Sequence, residues 1–277
     1  MRPRAVCVPA NGLSFDGLEW GPPDGPLVLL LHGFPQRCTS WAAVAQLLAE
    51  AGIRTVAIDQ RGYSPGARPD GVPAYAMANL VADVVALIGQ LGGPVHLAGH
   101  DWGGVVGWQV AARHPRLVHS WTAVSTPNQL ALDEVLATDP SQREQFGYIR
   151  TLRPPGVETR LLADDAARLR SFYGGSLSQA REDEDAAFFG RPGVLAAALN
   201  WYRAMSREDS TGLAPVTVPT TFVWGSSDLA FGRAAAERTA AHVVAPYEFV
   251  ALEGASHWLP DEVPGTLADA IAKRVLG

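Results

Sequence analysis

The chain has 277 residues, of which 47% are hydrophobic and 18% charged, and its formal net charge is −6. This composition is typical of a folded globular protein and excludes a disordered chain. The negative charge, without any cluster of Lys and Arg, argues against nucleic acid and anionic membranes as partners. No apolar run is long enough to span a membrane, and no secretory leader is recognisable, so we expect a soluble cytoplasmic protein. The two cysteines, Cys7 and Cys38, agree with a reducing compartment and lack the spacing of metal ligands.

The first part of the chain predicts a short hairpin and then alternating strands and helices. Strand-like residues at Leu13–Phe15 and Leu18–Trp20 place the hairpin within Gly12–Gly21. The elements predicted next, in chain order, are a strand at Leu27–Leu31, a helix at Thr39–Ala51, a strand at Thr55–Ile58, a helix at Met77–Leu91, a strand at Val95–Ala98, a helix at Val105–Ala112 and a strand at Leu117–Val124. Continuous apolar strands alternating with helices indicate a parallel sheet with right-handed crossovers.

This alternation stops near Ser125, and strand-like sequence returns only after Leu213. The elements predicted after the break are a strand at Val216–Trp224, a helix at Arg233–Val243, a strand at Tyr247–Leu252 and a helix at Asp261–Leu276. We therefore expect an α/β fold with a mostly parallel central sheet flanked by helices. Residues 1–125 and 214–277 would form the core domain, and residues 126–213 a helical cap inserted after the sixth strand.

The segment Gly99-His100-Asp101-Trp102-Gly103 stands between a predicted strand and a predicted helix. That is the context of a nucleophile elbow, in which the central residue of Gly-x-Nuc-x-Gly is held in a strained conformation and exposed for reaction. Asp101 occupies the position that a serine has in esterases. Taken alone, the pentapeptide could also be a glycine-rich turn that happens to contain an aspartate, so other residues must decide.

A carboxylate nucleophile needs a base, and the base needs an acid to orient it, in the order nucleophile, acid, histidine. His257 follows the last predicted strand, at the sheet edge where α/β proteins place their sites. We expect the other downstream histidines to be structural; they are His114, His119 and His242. Asp228 follows the strand that ends at Trp224, whereas the alternative position after the earlier strand reads Ser125-Thr126-Pro127-Asn128 and has no carboxylate.

Negative charge that develops on an intermediate requires backbone N–H donors. In a sheet of this kind, one donor is the residue after the nucleophile and the other lies in the loop after the third strand. These residues are Trp102 and Phe34, the latter within His32-Gly33-Phe34-Pro35.

Five motifs, in order along essentially the whole chain, together resemble the epoxide hydrolase and haloalkane dehalogenase branch of the α/β-hydrolase fold. They are His32-Gly33-Phe34-Pro35, Asp59-Gln60-Arg61-Gly62-Tyr63-Ser64, Gly99-His100-Asp101-Trp102-Gly103-Gly104, Trp224-Gly225-x-x-Asp228 and Ser256-His257-Trp258. The resemblance implies that the aspartate attacks carbon to form an alkyl–enzyme ester, which water activated by the histidine then hydrolyses. A carboxylate suits substitution at an sp³ carbon because the ester can be hydrolysed back, whereas a serine would leave a stable ether.

The two branches differ in how they assist the leaving group, and the sequence favours the epoxide branch. The resemblance implies two cap tyrosines that donate protons to the epoxide oxygen. Tyr202, in Asn200-Trp201-Tyr202-Arg203, and Tyr148, which precedes Pro155-Gly156-Val157-Glu158, match the family's contexts. Tyr173 has no such context, and we expect it to be structural. Phe34 stands where a dehalogenase would carry a halide-binding Asn.

We therefore expect an epoxide hydrolase with Asp101 as nucleophile, His257 as base, Asp228 as its partner and Tyr148 with Tyr202 as acids. Its partners would be a small hydrophobic epoxide and water, with no cofactor or metal. The aromatic residues expected to form the substrate site are Phe34, Trp41, Trp102, Trp201 and Trp258. Alternatives left open are a haloalkane or haloacid dehalogenase with the same triad, a non-catalytic ligand receptor, and an enzyme that opens an epoxide by intramolecular attack. The oligomeric state, including a homodimer, is also open.

Overall fold

The protein is described by a computed structural model covering residues 2–277, and it is organised around one eight-stranded sheet. The strands are β1 (Arg4–Ala10), β2 (Leu13–Trp20), β3 (Leu27–Leu31), β4 (Arg54–Ile58), β5 (Val95–His100), β6 (Val118–Val124), β7 (Thr220–Gly225) and β8 (Tyr247–Leu252). Their spatial order is β1-β2-β4-β3-β5-β6-β7-β8. Strands β3 to β8 run parallel, while β1 pairs antiparallel with β2 and β2 antiparallel with β4. The predicted α/β architecture is confirmed.

Helices cover both faces of the sheet, which explains why the central strands are apolar along their whole length. The helices of the sheet layers are α1 (Ala42–Glu50), α2 (Met77–Gln90), α3 (Trp102–Arg113), α10 (Arg233–Arg238), α11 (Leu259–Glu262) and α12 (Pro264–Leu276). In β3, Leu29 and Leu31 pack in the cluster that contains α2 and α3 residues, while Val28 and Leu30 pack in the cluster with α1 and α12. The alternating side chains of β3 therefore pack into two separate cores, one on each face of the sheet.

The chain between β6 and β7 is helical. Its helices are α4 (Gln129–Thr138), α5 (Pro140–Gln145), α6 (Tyr148–Leu152), α7 (Val157–Arg170), α8 (Gln179–Phe189) and α9 (Val194–Ala204). We call residues 126–213 the helical segment. It follows the sixth strand, as expected, and α9 packs into the same cluster as α2 and α3. The division into a core and a cap domain at these boundaries stays a prediction. No helix within residues 2–277 is long and apolar enough to cross a bilayer.

The hairpin at the start of the chain differs from the prediction. Its turn lies at Asn11-Gly12, where both residues have positive φ, and its strands are β1 and the longer β2. The prediction placed the turn inside what is β2 and missed β1. Five of the seven residues of β1 are partly or fully exposed, so this edge strand carries little apolar pattern. The Asn-Gly pair, which favours a tight hairpin turn, was the signal that could have located it.

Prolines explain two further differences between the predicted and the observed boundaries of elements. The strand predicted from Val216 begins at Thr220, directly after Pro219, and Val216 forms only an isolated bridge to Val243. The last helix is divided into α11 and α12, because Pro264 has no N–H to continue the first helix and suits the start of the second.

Candidate active site

Asp101 lies in the sharp turn between β5 and α3, with φ +51° and ψ −120°. Such a conformation is costly for a residue with a Cβ and is typical of positions held for function. The neighbouring chain segments approach so closely that a Cβ on Gly103 would overlap the backbone of Leu31, and one on Gly99 would overlap Gly103. The glycines of the motif are thus required by packing.

His257 lies between two carboxylates. Its Nδ1 donates to Oδ2 of Asp228 at 2.8 Å, and its Nε2 is 3.6 Å from Oδ2 of Asp101. The three side chains are at most 9% exposed. The second oxygen of Asp228 accepts the backbone N–H groups of Ala230 and Phe231 at 2.7 and 3.0 Å. The structure therefore brings together the three residues predicted as a triad, and the Nδ1 hydrogen bond leaves Nε2 facing Asp101.

The backbone of His257 is held by two residues that were not predicted to belong to the site. Its carbonyl oxygen accepts hydrogen bonds from Nε2 of His100 and from Oγ of Ser125, each at 2.8 Å. Burial, followed by the nearby His257, lowers the pKa of His100 to about 3, so His100 is neutral and donates from Nε2. The sequence feature that could have identified His100 is its position directly before Asp101 in the elbow.

The charges within the site stabilise one another. Burial by itself would lower the pKa of His257, but the carboxylates of Asp228 and Asp101 outweigh it and raise that pKa to about 10. Burial would raise the pKa of Asp101, but hydrogen bonding and charge from His257, together with the N–H of Phe34, hold it below its usual value. The resting site thus favours an imidazolium between two carboxylates.

The loop after β3 passes directly over the Asp101 carboxylate. The backbone N–H of Phe34 donates to Oδ1 of Asp101 at 2.7 Å. A Cβ on Gly33 would overlap the Asp101 side chain, so this position requires glycine. Trp102, the other predicted donor, is the first residue of α3, and a helix leaves its first N–H groups without partners inside the helix.

Tyr148 and Tyr202, from α6 and α9, have ring centroids 6.4 Å apart and line the same cavity as Asp101. The Tyr202 ring also contacts Phe34 and Trp102 edge-on, at centroid distances of 5.5 and 5.1 Å. Burial, and next the Asp101 carboxylate, raises the pKa of both tyrosines. Both hydroxyls are therefore protonated and able to donate.

Two cavities meet at Asp101, Tyr148 and Tyr202. The larger has a volume of about 510 Å³ and its wall includes His257 and Phe172, and the smaller has about 100 Å³. Apolar side chains in the two walls include Phe34, Phe172, Leu229, Trp258, Trp102, Val105, Leu132, Ile149, Met205 and Phe231. The space beside the carboxylate is thus suited to an apolar molecule with substituents on either side of the reacting atoms.

Two of the five aromatic residues predicted for the substrate site are placed elsewhere. Phe34 and Trp258 line the larger cavity and Trp102 the smaller. Trp41 is fully buried in the core between the sheet and α1, because it ends the short helical turn that leads into α1. Trp201 lies behind Trp102, with its indole N–H donated to the carbonyl of Arg61 at 2.8 Å.

A family model, related proteins and a solved structure all match this chain over most of its length. The chain matches the family model described as the alpha/beta hydrolase fold over residues 26–264. It is 33% identical to the AB hydrolase superfamily protein YfhM of Bacillus subtilis over 95% of each chain. It is 31% identical to Epoxide hydrolase A of Mycobacterium tuberculosis, covering 99% of this chain and 98% of that protein. The crystal structure of Epoxide Hydrolase A from Mycobacterium thermoresistibile is similar, with 30% identity, a TM-score of 0.86 and coverage of 100% and 99%.

Proposed function

Because the chain belongs to the α/β-hydrolase fold family, we propose that it is an epoxide hydrolase that opens an epoxide to a vicinal diol through an alkyl ester on Asp101. Relatives aligned over nearly their whole length carry the name epoxide hydrolase, which supports this activity in general. The observation that carries the finer proposal is the Asp101 carboxylate, which is bound at one oxygen by Phe34 and faces His257 with the other.

In the first step, Oδ2 of Asp101 attacks an epoxide carbon while the carbon–oxygen bond breaks and its electron pair moves to the epoxide oxygen. That oxygen takes a proton from Tyr148 or Tyr202, which share the cavity wall with the carboxylate. Oδ1 remains bound to the N–H of Phe34 at 2.7 Å, so the carboxylate is oriented with Oδ2 towards the substrate. General acids placed in this way typically contribute 10² to 10⁴-fold to the rate.

In the second step, the imidazolium first passes its Nε2 proton to the tyrosinate left by the first step. Nε2 of His257 then takes a proton from water, and the water oxygen attacks the carbonyl carbon of the Asp101 ester. The negative charge that develops on Oδ1 is stabilised by the N–H of Phe34, with the N–H of Trp102 as the second donor. The intermediate collapses by breaking the bond between the carboxyl carbon and Oδ2, which takes the proton from Nε2 of His257 and leaves with the diol. The new carboxyl group then gives its remaining proton to the imidazole, which restores the resting ion pair. Asp228 orients the imidazole and stabilises its charge.

We further propose a hydrophobic epoxide as substrate and residues 126–213 as a cap that supplies the proton donors. The apolar side chains in the walls of both cavities support this class of substrate, because apolar substituents that pack against them are removed from water. Because the two cavities meet at Asp101, each could hold the substituent on one carbon of the epoxide.

The test is a single turnover of an aryl or alkyl epoxide in heavy-oxygen water, with enzyme in excess. Because the oxygen transferred to the product comes from Asp101, we expect an unlabelled diol and heavy oxygen in the peptide that contains Asp101. Mass spectrometry of both species gives the result. The Asp101→Ala variant, which has no nucleophile, should form neither diol nor ester.

A labelled diol with an unlabelled Asp101 peptide would indicate direct attack by water and would contradict the ester mechanism. Halide release from haloalkanes, with no diol from any epoxide, would instead support a dehalogenase with the same triad.

A further inference from the structure

Asp185, on α8, is a fully buried carboxyl group that the proposed mechanism does not use. Its Oδ1 has no hydrogen-bond partner within residues 2–277. Its Oδ2 is 3.0 Å from the hydroxyl of Tyr173, in the helical turn that follows α7. A buried carboxylate with one unpaired oxygen is costly, so this environment favours the neutral acid.

The hydrogen bonds around Tyr173 require a proton on Asp185. The Tyr173 hydroxyl is 2.7 Å from the carbonyl oxygen of Pro35 and 3.0 Å from Oδ2 of Asp185. A hydroxyl has one hydrogen to donate, and a carbonyl oxygen can only accept. Both contacts are hydrogen bonds only if Asp185 is protonated and donates to Tyr173, which in turn donates to Pro35.

The end of this chain of hydrogen bonds lies beside the reacting atoms. Pro35 directly follows Phe34, whose N–H binds Oδ1 of Asp101. On its other side, Tyr173 packs edge-on against Trp258, the residue after His257, with ring centroids 5.0 Å apart. Tyr173 therefore contacts residues adjacent to both the oxyanion donor and the base.

The rest of the loop is held by Gln60, which follows β4, and by a hydrogen bond within the loop. The side-chain amide of Gln60 donates to the carbonyl oxygen of His32 at 2.6 Å. The backbone N–H of Gln36 donates to the carbonyl oxygen of Gly33 at 3.1 Å. The hydrogen bond to Pro35, in contrast, comes from the helical segment. The position of the Phe34 N–H thus depends on groups from two parts of the chain.

The charged and titratable groups around Asp185 keep its protonation sensitive to pH. They are Arg181 and Glu184 on α8, Asp261 on α11, Tyr173, and Tyr63 from the core. Burial, and also Glu184 and Asp261, raise the pKa of Asp185 against the opposite effects of Arg181 and Tyr173, to about 7. Arg181 also pairs with Glu184 at 2.8 Å and faces Asp261 at 3.5 Å, so its charge is shared among three carboxyl groups.

We propose that Asp185 and Tyr173 are positioning residues whose hydrogen-bond relay, complete only when Asp185 is protonated, holds the Phe34 N–H against Asp101. When Asp185 ionises, the Tyr173 hydrogen turns to the carboxylate, because hydrogen bonds to charged acceptors are stronger. The Pro35 carbonyl then loses its partner and the loop relaxes. This inference rests on the proposed function only for the catalytic roles of Asp101 and Phe34.

The test is the pH dependence of kcat and KM for epoxide hydrolysis. In the wild type, kcat should fall about 3- to 30-fold as the pH rises through about 7, with little change in KM, because a misplaced oxyanion donor weakens transition-state binding. The Asp185→Asn variant, whose amide always donates to Tyr173, should lose this fall. Tyr173→Phe should have the low kcat at every pH, and the exposed Asp183→Asn on the same helix should behave as wild type.

Two results would overturn the relay: a pH profile of Asp185→Asn identical to that of the wild type, or an undiminished kcat of Tyr173→Phe below pH 7. A readout without turnover separates this inference from the proposed function. The difference infrared spectrum between acidic and alkaline enzyme should show a protonated carboxyl band that is absent in Asp185→Asn. The same band in both proteins would also contradict the relay, whether or not epoxides are substrates.

Discussion

The His257 imidazole changes its surroundings during the proposed reaction. In the resting site two carboxylates face it, and both raise its pKa. Formation of the ester on Asp101 removes the negative charge that faces Nε2, 3.6 Å away. The pKa of His257 then falls, because one of its two stabilising charges is lost. The imidazole therefore loses its proton more readily before hydrolysis of the ester, the step in which it must act as a neutral base.

The two tyrosines should matter for formation of the ester and not for its hydrolysis. We expect Tyr148→Phe and Tyr202→Phe each to slow alkylation of Asp101 by an epoxide about 10- to 100-fold, and the double variant more, because the developing alkoxide loses its proton donor. Rapid-quench measurement of the ester gives the alkylation rate.

A matched control is Tyr247→Phe, which removes a buried hydroxyl that has no partner within residues 2–277. It should alkylate at the wild-type rate. An unchanged alkylation rate in the double variant would exclude both tyrosines as the proton donors.

At the scale of elements, the elbow depends on how closely α3 lies on β5 and β6. The fully buried Trp121 of β6 packs over Gly107 of α3, and a Cβ at Gly107 would overlap the Trp121 ring. Neighbouring contacts leave the ring no free space, since it also packs against Trp108 at 5.7 Å between ring centroids. The small residue in α3 therefore sets the distance between helix and sheet, and with it the position of Asp101.

We predict that Gly107→Ala lowers the free energy of unfolding by about 1–3 kcal/mol, because the added methyl group forces the helix away from the sheet. Denaturant unfolding measures this change. The matched control is Gly89→Ala in α2, where a Cβ would meet nothing within 4 Å. There alanine should be neutral or should raise the free energy of unfolding by about 0.5 kcal/mol, through its better helix propensity. Equal effects of the two substitutions would contradict the packing argument.

At the scale of the whole molecule, Asp185 makes stability depend on pH. Its pKa rises from the ordinary 3.8 to about 7 on folding, so the folded protein binds a proton that the unfolded chain has released. Below pH 4 both states are protonated and the effect is absent. As the pH rises from about 4 to about 7, the unfolded state is favoured increasingly, by at most about 4 kcal/mol.

The Asp185→Asn variant has no such proton to bind. The difference in free energy of unfolding between this variant and the wild type should therefore shift in favour of the variant as the pH rises from 4 to 7, and then stay constant. Thermal melting over this pH range measures the difference. For Asp183→Asn, at an exposed position, we expect no comparable increase with pH in the free energy of unfolding relative to the wild type. Parallel stability curves for Asp185→Asn and the wild type would contradict burial as the cause.

Most of the sheet could be predicted from the sequence because a strand buried on both faces carries its apolar signal locally, as in Leu27–Leu31. The elbow could be predicted for the same reason, since its glycines and Asp101 are adjacent in the chain. The edge strand β1 could not, because its side chains are mostly exposed and its place is set by pairing with β2.

The amino-acid sequence alone nominated Asp101, Asp228 and His257 as a triad, because motif order along the chain carries that information; their catalytic roles stay a prediction. Only the tertiary structure decided that Trp41 lies in the core. It alone also placed the Tyr173 hydroxyl on the carbonyl of Pro35, 138 positions away. The physical reason is that a side chain's hydrogen-bond partners and the direction of its ring depend on which distant elements pack together. Local composition and periodicity do not record that.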